Sequence, residues 1–479
     1  MADKDLPIRE EYLYLAGLTH NSALIAWGAF FFKLKGNPEN GKWELIDDDD
    51  LDEHKTFRKD LIGASSAPYA ANNTAAEVEL TEKATGDKQE KLIAGANHAV
   101  FTDLRPDTTY TYTVKVNGQQ WAGGPLRDWV IEGDKGFMRP SEFSYENEFR
   151  TFPDPSQKSP DMAFAILGDF GRGVRKPSKD GKCQREIAAS LTRAVRERNV
   201  RLILSTGDNI YNGSSQGSGD EDDDWFFTFF QPYRFVINRV PVFPAVGNHD
   251  DGETLGESSD DRRQLYDNMY IRNRFVDVMK TGDASLEPGL FYRVRFGSDI
   301  EFICLDTSKQ SWLFSQRYFR HDNHQSFIAA VLPDNGGSAV KWRIPFMHHP
   351  PFCAGPSHFN KESVSDFFVP KFLKAGVRAV FSGHQHSIQH SLDQGIHYFV
   401  TGGSGKFDSG EPKASRFDEA RTQAWGGNDE GHFLLVDIKG KSMEVVPYGN
   451  LSTNGELRPI KINVVTGEQN VPPFKVNID

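Results

Sequence analysis

The sequence predicts a chain in two parts, an all-β part followed by an α/β part, and three observations support this prediction. Residues 10–153 show the alternation of apolar and polar side chains that is typical of half-buried strands. Residues 153–160 are rich in proline and serine, as linkers are. Beyond them, strand-length apolar runs alternate with stretches at helical spacing, which indicates a layered α/β domain. At 479 residues the chain has room for two domains, which we place at 1–153 and 160–479.

The clearest strand signal of the first part lies in residues 104–118, at Tyr110 to Val116. Its tyrosines and valines alternate with threonines and a lysine, so one face is apolar and the other polar. Asn117 and Gly118, which follow, are a strong signal for a two-residue hairpin turn. The pattern Leu-x-Pro-x-Thr-x-Tyr-x-Tyr-x-Val, from Leu104 to Val114, resembles the tyrosine-corner strand of fibronectin type III domains. This resemblance implies an N-terminal fibronectin type III-like β-sandwich.

The second part contains the predicted helices. Apolar residues recur at helical spacing in residues 184–199, and residues 226–230 and 326–332 are predicted to be further helices. Residues 288–305 and 396–447 return to strand-like runs, and we expect them to complete a second sheet.

Composition narrows the classes of function. The net charge is −12, whereas a protein that grips duplex nucleic acid by its phosphates needs a basic surface, so we expect no such binding. The longest apolar stretch, residues 23–32, is far shorter than a membrane span, so we expect no membrane insertion. The N-terminus lacks a signal-peptide core. We therefore expect a cytoplasmic location if the chain is complete, and a secreted or periplasmic one if it is a mature form.

Five short segments each end a predicted strand with residues that bind metal ions. Because strands deliver side chains from their C-terminal ends to one edge of a sheet, we expect the segments to form one site. They offer more oxygen and imidazole ligands than one ion needs, so the sequence predicts a two-metal hydrolase. Asp208 is the best candidate for a bridging carboxylate, because its segment lies between the others. The segments are Gly168-Asp169-Phe170-Gly171, Gly207-Asp208-Asn209-Ile210-Tyr211, Gly247-Asn248-His249-Asp250, Met347-His348-His349 and Gly383-His384-Gln385-His386.

These segments resemble the motifs of the metallophosphoesterase superfamily, and within it those of the purple acid phosphatases, over residues 160–450. Most of the superfamily opens with Asp-x-His, whereas this chain has Gly171 at the histidine position and carries Tyr211 three residues after Asp208. That joint change resembles the purple acid phosphatase signature, in which a tyrosine fills the vacated position. The resemblance implies a four-layer α/β/β/α metallophosphoesterase domain. It also implies two ligand sets, Asp169, Asp208, Tyr211 and His386 for the first ion, and Asp208, Asn248, His348 and His384 for the second.

The ligand chemistry predicts two different ions. Asp169, Asp208 and an ionised Tyr211 offer hard anionic oxygens, which suit ferric iron. The amide and the two imidazoles of the second set are neutral, so that position suits a divalent ion, which is zinc, manganese or ferrous iron.

The resemblance implies an acid phosphatase, that is, hydrolysis of phosphomonoesters by a metal-bound hydroxide, with activity best below neutral pH. Two histidines are candidates for contacting the phosphoryl group and protonating the leaving oxygen, namely His249 and His358. His349 is expected to point away from the ions. The expected substrates are small phosphorylated molecules, including nucleotides, and the oligomeric state is left open.

Two other functions stay open. A phosphodiesterase of the same superfamily would carry the same motifs, because the pocket walls decide whether a second ester group fits. An adhesion or scaffold protein with a vestigial metal domain would be favoured by loss of a ligand, and none is lost.

Several remaining features have ordinary interpretations. Residues 402–406 are glycine-rich and end in lysine, but they lack the spacing of a P-loop, so we interpret them as a tight turn. We interpret His321, His324 and His390 as surface or loop histidines.

Overall fold

Antiparallel strands build the N-terminal part of the chain. The computed structural model describes residues 8–35, 42–45, 75–124, 126–132, 135–141, 143–174, 178–211, 225–250, 265–266, 268–271, 277–278, 290–309, 316–335, 340–360, 362–406, 410–427, 429–466, 469–470 and 473–478. Its first strands are β1 Ile8–Leu18, β2 Ala23–Lys35, β3 Lys42–Leu45, β4 Ala75–Glu82, β5 Lys88–Ala94, β6 His98–Phe101, β7 Thr109–Val116, β8 Gln119–Gln120, β9 Arg127–Glu132, β10 Lys135–Pro140 and β11 Glu148–Arg150.

These strands form two sheets and a hairpin. One sheet has the order β1-β2-β3 with β6 paired to β2, and the other has the order β11-β7-β4-β5 with β8 paired to β7. β9 and β10 pair with each other. One hydrophobic cluster contains buried residues of both N-terminal sheets, namely Leu13 and Trp27 of the β1-β2-β3 sheet and Leu80 and Val114 of the β11-β7-β4-β5 sheet. The two sheets therefore share a core.

Strand β7 shows why this sequence forms a sheet. Its tyrosines and valines are buried and the residues between them are half-exposed, as the alternation predicts. The hydroxyl of Tyr110 accepts a hydrogen bond from the backbone N–H of Arg105 at 2.9 Å, which fixes the strand to the preceding turn. Asn117 and Gly118 both have positive φ, 50° and 78°, and connect β7 to β8, so the predicted hairpin turn is confirmed. The likeness to fibronectin type III domains stays a prediction, as do the domain boundaries.

The second part alternates strands and helices. Its strands are β12 Met162–Leu167, β13 Val200–Ser205, β14 Val242–Pro244, β15 Asp277–Val278, β16 Tyr292–Phe296, β17 Ile300–Cys304, β18 Trp342–Met347, β19 Ala379–Ser382, β20 Ile388–Asp393, β21 Ile396–Thr401, β22 Thr422–Gly426, β23 Phe433–Lys439, β24 Ser442–Tyr448, β25 Ile462–Val464, β26 Gln469–Asn470 and β27 Phe474–Asn477. Its helices are α1 Lys179–Glu197, a π-helical turn Phe226–Phe230, α2 Gln231–Ile237, a 3₁₀ turn Tyr318–Arg320, α3 Asp322–Val331, α4 Glu362–Lys374 and a 3₁₀ turn Ala414–Arg416.

Two mixed sheets face each other in this part. The first has the order β14-β13-β12-β23-β24-β27, and the second has the order β15-β16-β17-β18-β19-β21-β20-β22-β25-β26. Strands β12, β13 and β14 run parallel, as do β17, β18, β19 and β21. The ring of Phe164 on β12 packs edge-on against Phe302 at 5.0 Å and Phe381 at 6.1 Å on the second sheet. The mixed α/β fold with several sheets that the sequence predicts is confirmed.

One part of the strand prediction is wrong. We expected residues 396–447 to complete the second sheet, but β23 pairs antiparallel with β12 and so extends the first sheet. β24 then pairs with β23 at the same side. An apolar strand suits either sheet, so the sequence does not specify which sheet it joins.

Helices pack against the sheets of this part. Ser178 caps α1, because its Oγ accepts a hydrogen bond from the N–H of Gly181 at 2.9 Å. Phe368 and Phe372 of α4 stack at 5.6 Å and are buried in a cluster with Val380 and Tyr398 of the second sheet. The three helices predicted at 184–199, 226–230 and 326–332 are confirmed in position, although 226–230 is a π-helical turn. Among the described residues, no helix is long and apolar enough to cross a membrane.

Candidate metal centre

The five segments singled out in the sequence meet at one edge of the two facing sheets. Each follows a parallel strand: β12, β13 and β14 in the first sheet and β18 and β19 in the second. Three of the predicted ligands leave their strands with positive φ, namely Asp169 at 54°, Asp208 at 50° and His384 at 71°. Non-glycine residues seldom adopt this conformation, and it concentrates at functional sites.

Asp169, Tyr211 and His386 form a first group of donor atoms. The Tyr211 hydroxyl lies 3.3 Å from Asp169 Oδ1 and 3.3 Å from His386 Nε2. His386 Nε2 lies 3.6 Å from Asp169 Oδ1. All three side chains are buried. They are three of the four residues predicted for the first ion.

Asp208, Asn248, His348 and His384 form a second group. His348 Nε2 lies 2.9 Å from Asn248 Oδ1, 3.1 Å from His384 Nδ1 and 3.4 Å from Asp208 Oδ1. His348 Nδ1 faces the carbonyl oxygen of Thr206 at 2.9 Å, which orients the ring so that Nε2 points into the group.

Asp208 connects the two groups. One ligand atom each of Asp169, Asp208 and His348 lies within 4.8 Å of the others. The Asp208 carboxylate also accepts a hydrogen bond from the N–H of His249 at 3.0 Å, which fixes its orientation. The arrangement therefore contains two sets of nitrogen and oxygen donors that share one carboxylate.

The electrostatics of the site favour bound cations. Burial, together with the negative charge of Asp208, raises the pKa of Asp169 well above its usual value. Burial also raises the pKa of Asp208, but His348 and His249 outweigh it and lower that pKa to about 2. Burial and both carboxylates raise the pKa of the Tyr211 phenol. Without positive charge these acids cannot all ionise, and a pair of cations supplies that charge, so the donor set fits metal ions.

Glycines precede the ligands because the segments approach one another too closely for a side chain. A Cβ on Gly247 would overlap Asp208, and a Cβ on Gly383 would overlap a carboxylate oxygen of Asp169. Each contact joins segments that follow different strands. These glycines therefore allow the ligands to converge.

Asp250 is a site residue to which the sequence analysis gave no role. Its buried carboxylate accepts hydrogen bonds from the N–H groups of Gly247 at 2.8 Å, Asn209 at 2.9 Å and Ile210 at 3.2 Å, and from the Asn209 amide at 2.9 Å. It therefore joins the Asp208 segment to the Asn248 segment. The carboxylate at the end of the Gly-Asn-His-Asp motif was the signal that could have identified it.

The expectation that His349 points away from the other ligands is wrong. Its ring lies 4.5 Å from that of His384, and one nitrogen each of His348, His349 and His384 lies within 4.8 Å of the others. His349 Nδ1 faces the Thr307 hydroxyl at 3.1 Å and the Arg317 guanidinium at 3.3 Å, and all three side chains are buried. Thr307 and Arg317 lie far from His349 along the chain, so local sequence pattern did not indicate these contacts.

The two predicted catalytic histidines flank the donor groups. The ring of His249 lies 4.5 Å from that of Tyr211. The ring of His358 lies 3.9 Å from that of His384 and 5.8 Å from that of His386. Both histidines are partly exposed, so solvent and small molecules can reach them. Their catalytic roles stay predictions.

Two cations at the site were also missed. The ammonium of Lys406 lies 4.6 Å from the ring centre of Tyr211, and the guanidinium of Arg172 lies 5.5 Å from it. Lys406 ends the glycine-rich stretch 402–406, which directly follows strand β21. A lysine at the end of such a stretch was the available signal.

Two of the three histidines interpreted as surface or loop residues are buried. His324 stacks on Phe291 at 4.4 Å. His390 lies in β20, where its Nε2 is 3.0 Å from His397 Nδ1 and its ring packs against Phe399 and Phe474. The interpretation is therefore wrong for these two, because a single polar residue in a mixed stretch does not show which way it faces. His321 is partly exposed.

Comparison with known proteins finds phosphoesterases similar to this chain. The family model described as calcineurin-like phosphoesterase matches residues 162–387. Purple acid phosphatase 4 of Arabidopsis thaliana is 26% identical over 264 residues, which are 54% of this chain and 73% of the relative. Tartrate-resistant acid phosphatase type 5 of Oryctolagus cuniculus is 25% identical over 60% of this chain and 87% of its own length.

A solved structure shows the same fold. The purple acid phosphatase PPD1 from seeds of yellow lupin (Lupinus luteus) superposes with a TM-score of 0.55 at 12% identity, over 99% of this chain and 74% of its own. Among the described residues, the structure offers candidate ligands for a metal ion.

Proposed function

We propose that this chain, whose residues 162–387 match the calcineurin-like phosphoesterase family model and which is similar to purple acid phosphatases, is an acid phosphatase that hydrolyses phosphomonoesters with two metal ions. One observation carries the proposal. Two sets of nitrogen and oxygen donors, all buried except the half-buried Asn248, meet through the single carboxylate of Asp208. Two adjacent ions that share one bridging ligand are the arrangement used for in-line displacement at phosphorus.

In this proposal the two sets hold different ions. Asp169, Asp208, Tyr211 and His386 hold ferric iron, because three of the four offer anionic oxygens when ionised. Asp208, Asn248, His348 and His384 hold zinc, manganese or ferrous iron. When bound, the ions polarise phosphorus and make a water molecule acidic enough to serve as the nucleophile.

The histidines beside the ligands act on the substrate. We assign His249 to the phosphoryl group, because its backbone N–H holds Asp208 and its ring lies next to Tyr211. His358 is assigned to the proton of the leaving oxygen, because its ring lies over His384 and is partly exposed. The substrates in this proposal are small phosphorylated molecules rather than duplex nucleic acid.

We also propose that the N-terminal sheets form a fibronectin type III-like sandwich.

Paired rates on matched aromatic esters test the proposal. The protein, as purified and after supplementation with ferrous iron and zinc, is given 4-nitrophenyl phosphate and bis(4-nitrophenyl) phosphate across pH 4 to 8. We expect faster release from the monoester, with a maximum below pH 7. Faster release from the diester would instead favour a phosphodiesterase.

Two variants separate chemistry at this site from contamination. His348→Ala removes a predicted ligand, and we expect at least a thousandfold loss of kcat/KM, as when a part of the catalytic machinery is removed. His321→Ala is the matched control, because His321 lies outside the site and contacts Tyr318. Turnover that survives in His348→Ala would show that the reaction does not take place at this centre.

A further inference from the structure

We propose that Lys406, which like Arg172 contacts the Tyr211 ring, forms an anion-binding subsite next to the candidate metal centre and that this subsite selects phosphate esters bearing a second anionic group. The inference rests on the function proposed above, because it places the substrate at that centre. It concerns two side chains outside the predicted ligand sets.

The location of Lys406 is fixed by the backbone rather than by the reach of its side chain. The N–H of Ser404 donates to the carbonyl of Gly168 at 2.9 Å, and the N–H of Gly168 donates to the Ser404 hydroxyl at 3.0 Å. The Ser404 hydroxyl in turn donates to the carbonyl of His432 at 2.8 Å. Gly405 lies so close to the Phe170 backbone that a Cβ there would overlap it. The stretch that carries Lys406 is thus bound to the turn that carries Asp169.

Arg172 contacts the same Tyr211 ring from the segment that follows β12. Gly171, which precedes it, accepts a hydrogen bond from the N–H of Tyr211 at 2.9 Å. The guanidinium of Arg172 lies 5.5 Å from the Tyr211 ring centre and its Nε is 3.2 Å from Asp180 Oδ2. Two cations on separate, well-anchored loops therefore contact one ring beside the predicted ligands.

The charged neighbours of Lys406 and Arg172 show which of these two cations is available to bind an anion. Asp180 offsets the charge of Arg172 in a partly buried ion pair. For Lys406, no carboxylate of the described residues lies within ion-pair distance of the ammonium, although its charge acts on both Asp169 and Asp208. Its side chain is partly buried, so an anion that reached it would be partly desolvated and the attraction stronger than in water.

The transferred phosphoryl group already has partners in the proposed mechanism, namely the ions and His249. Lys406 lies over the Tyr211 ring and belongs to neither of the two donor groups. A carboxylate or phosphate elsewhere on the substrate is therefore the group that fits it. A substrate whose remaining part is neutral would leave the ammonium in water and gain nothing from it.

Binding measurements on two matched compounds test the subsite. Calorimetry on the purified, metal-containing protein compares 3-phosphoglycerate with glycerol 3-phosphate, which has an uncharged hydroxymethyl group in place of the carboxylate. We expect the wild-type protein to bind 3-phosphoglycerate about tenfold more tightly, the effect of one charge-assisted hydrogen bond. Lys406→Met should abolish the difference, and Lys406→Arg should retain most of it.

Lys374→Met is the control, because Lys374 ends helix α4 at the surface and pairs with Asp334. Equal wild-type affinity for both compounds, including no detectable binding of either, overturns the inference. The inference is also overturned if the Lys406→Met variant retains the tenfold preference, or if its affinity for both compounds falls by the same factor. Release of phosphate is followed in the same samples. Preferential binding without hydrolysis would refute the proposed function and leave the subsite standing.

Discussion

The phenol oxygen of Tyr211 lies 3.3 Å from the carboxylate oxygen Oδ1 of Asp169, although the two residues follow different strands. Burial and the nearby carboxylates keep this phenol protonated in the absence of a cation. A phenolate at this position is therefore stable only beside strong positive charge. Ionisation of Tyr211 would thus report that a highly charged cation is bound in the first donor set.

Replacing Tyr211 with phenylalanine should remove any visible absorption of the purified protein. The band expected from a phenolate on ferric iron needs the oxygen, while the ring of phenylalanine keeps the packing. Absorbance and iron content are measured together. Tyr398→Phe is the matched control, since Tyr398 is a buried tyrosine on β21. A Tyr211→Phe protein that keeps both its colour and its iron would contradict the assignment.

The contact between Thr307 and His349 should affect metal affinity without touching a predicted ligand. The Thr307 hydroxyl accepts a hydrogen bond from the N–H of His349 at 2.9 Å and faces its Nδ1, and His349 packs on His384. Thr307→Val keeps the shape and removes these bonds. We expect the affinity for the second ion to fall about tenfold, as for other outer hydrogen bonds of metal sites.

Competition with a chelator measures this change. Thr422→Val is the control, because the buried hydroxyl of Thr422 has no hydrogen-bond partner among the described residues. If Thr307→Val and Thr422→Val release metal at the same chelator concentration, the hydrogen bonds to His349 do not support the site.

Gly402 should tolerate no side chain. A Cβ there would overlap the backbone oxygen of Gln385 and lie 2.8 Å from Asp169 Oδ2. We expect Gly402→Ala to lower the free energy of unfolding by about 1–3 kcal/mol, as overpacking does, and to reduce metal content. Gly124→Ala, where a Cβ meets nothing within 4 Å, should change stability by less than about 0.5 kcal/mol in the same denaturant titration. Similar midpoints for the two variants would refute the close approach.

His390 should make the protein less stable in acid. Burial and neighbouring His397 lower the pKa of His390 to about 3 from 6.5. Between these two pH values, His390 binds a proton in the unfolded chain but not in the folded chain. This contribution to stability is therefore present above pH 6.5 and is lost as the pH falls, by about 1.4 kcal/mol per pH unit.

Replacing His390 with phenylalanine should remove this dependence. The loss of unfolding free energy between pH 7 and pH 5 should shrink by about 2 kcal/mol relative to the wild type. Phe474→Leu changes the same aromatic cluster without a titrating group, so it should lower stability equally at both pH values. An unchanged pH dependence in His390→Phe would show that His390 is already charged in the fold.

The sequence predicted the convergence at the candidate site well, because an apolar run precedes nearly every one of the five segments. Asp169, Asp208 and His348 could be placed at strand ends from local pattern alone, and parallel strands bring such ends to one edge. Their role as ligands was suggested by the motif order and by the absence of the Asp-x-His histidine.

The features that the sequence missed depend on contacts between distant residues. Lys406 reaches Tyr211 only because Ser404 pairs with the Gly168 backbone, and His349 meets Thr307 across 42 positions of the chain. Strand β23 belongs to the sheet of β12 because it pairs with that strand, which lies far from it along the chain. Its apolar pattern alone fits either sheet. Local periodicity carries no information about such pairings.

The central claim is that two ions lie in two adjoining donor sets that share Asp208. Anomalous scattering from crystals of the metal-containing protein, collected at the iron edge and at the edge of the second metal found by elemental analysis, tests it most directly. We expect two peaks per chain, one beside Asp169 and Tyr211 and one beside Asn248 and His348, with Asp208 between them. A single peak, or peaks away from these residues, would contradict the account.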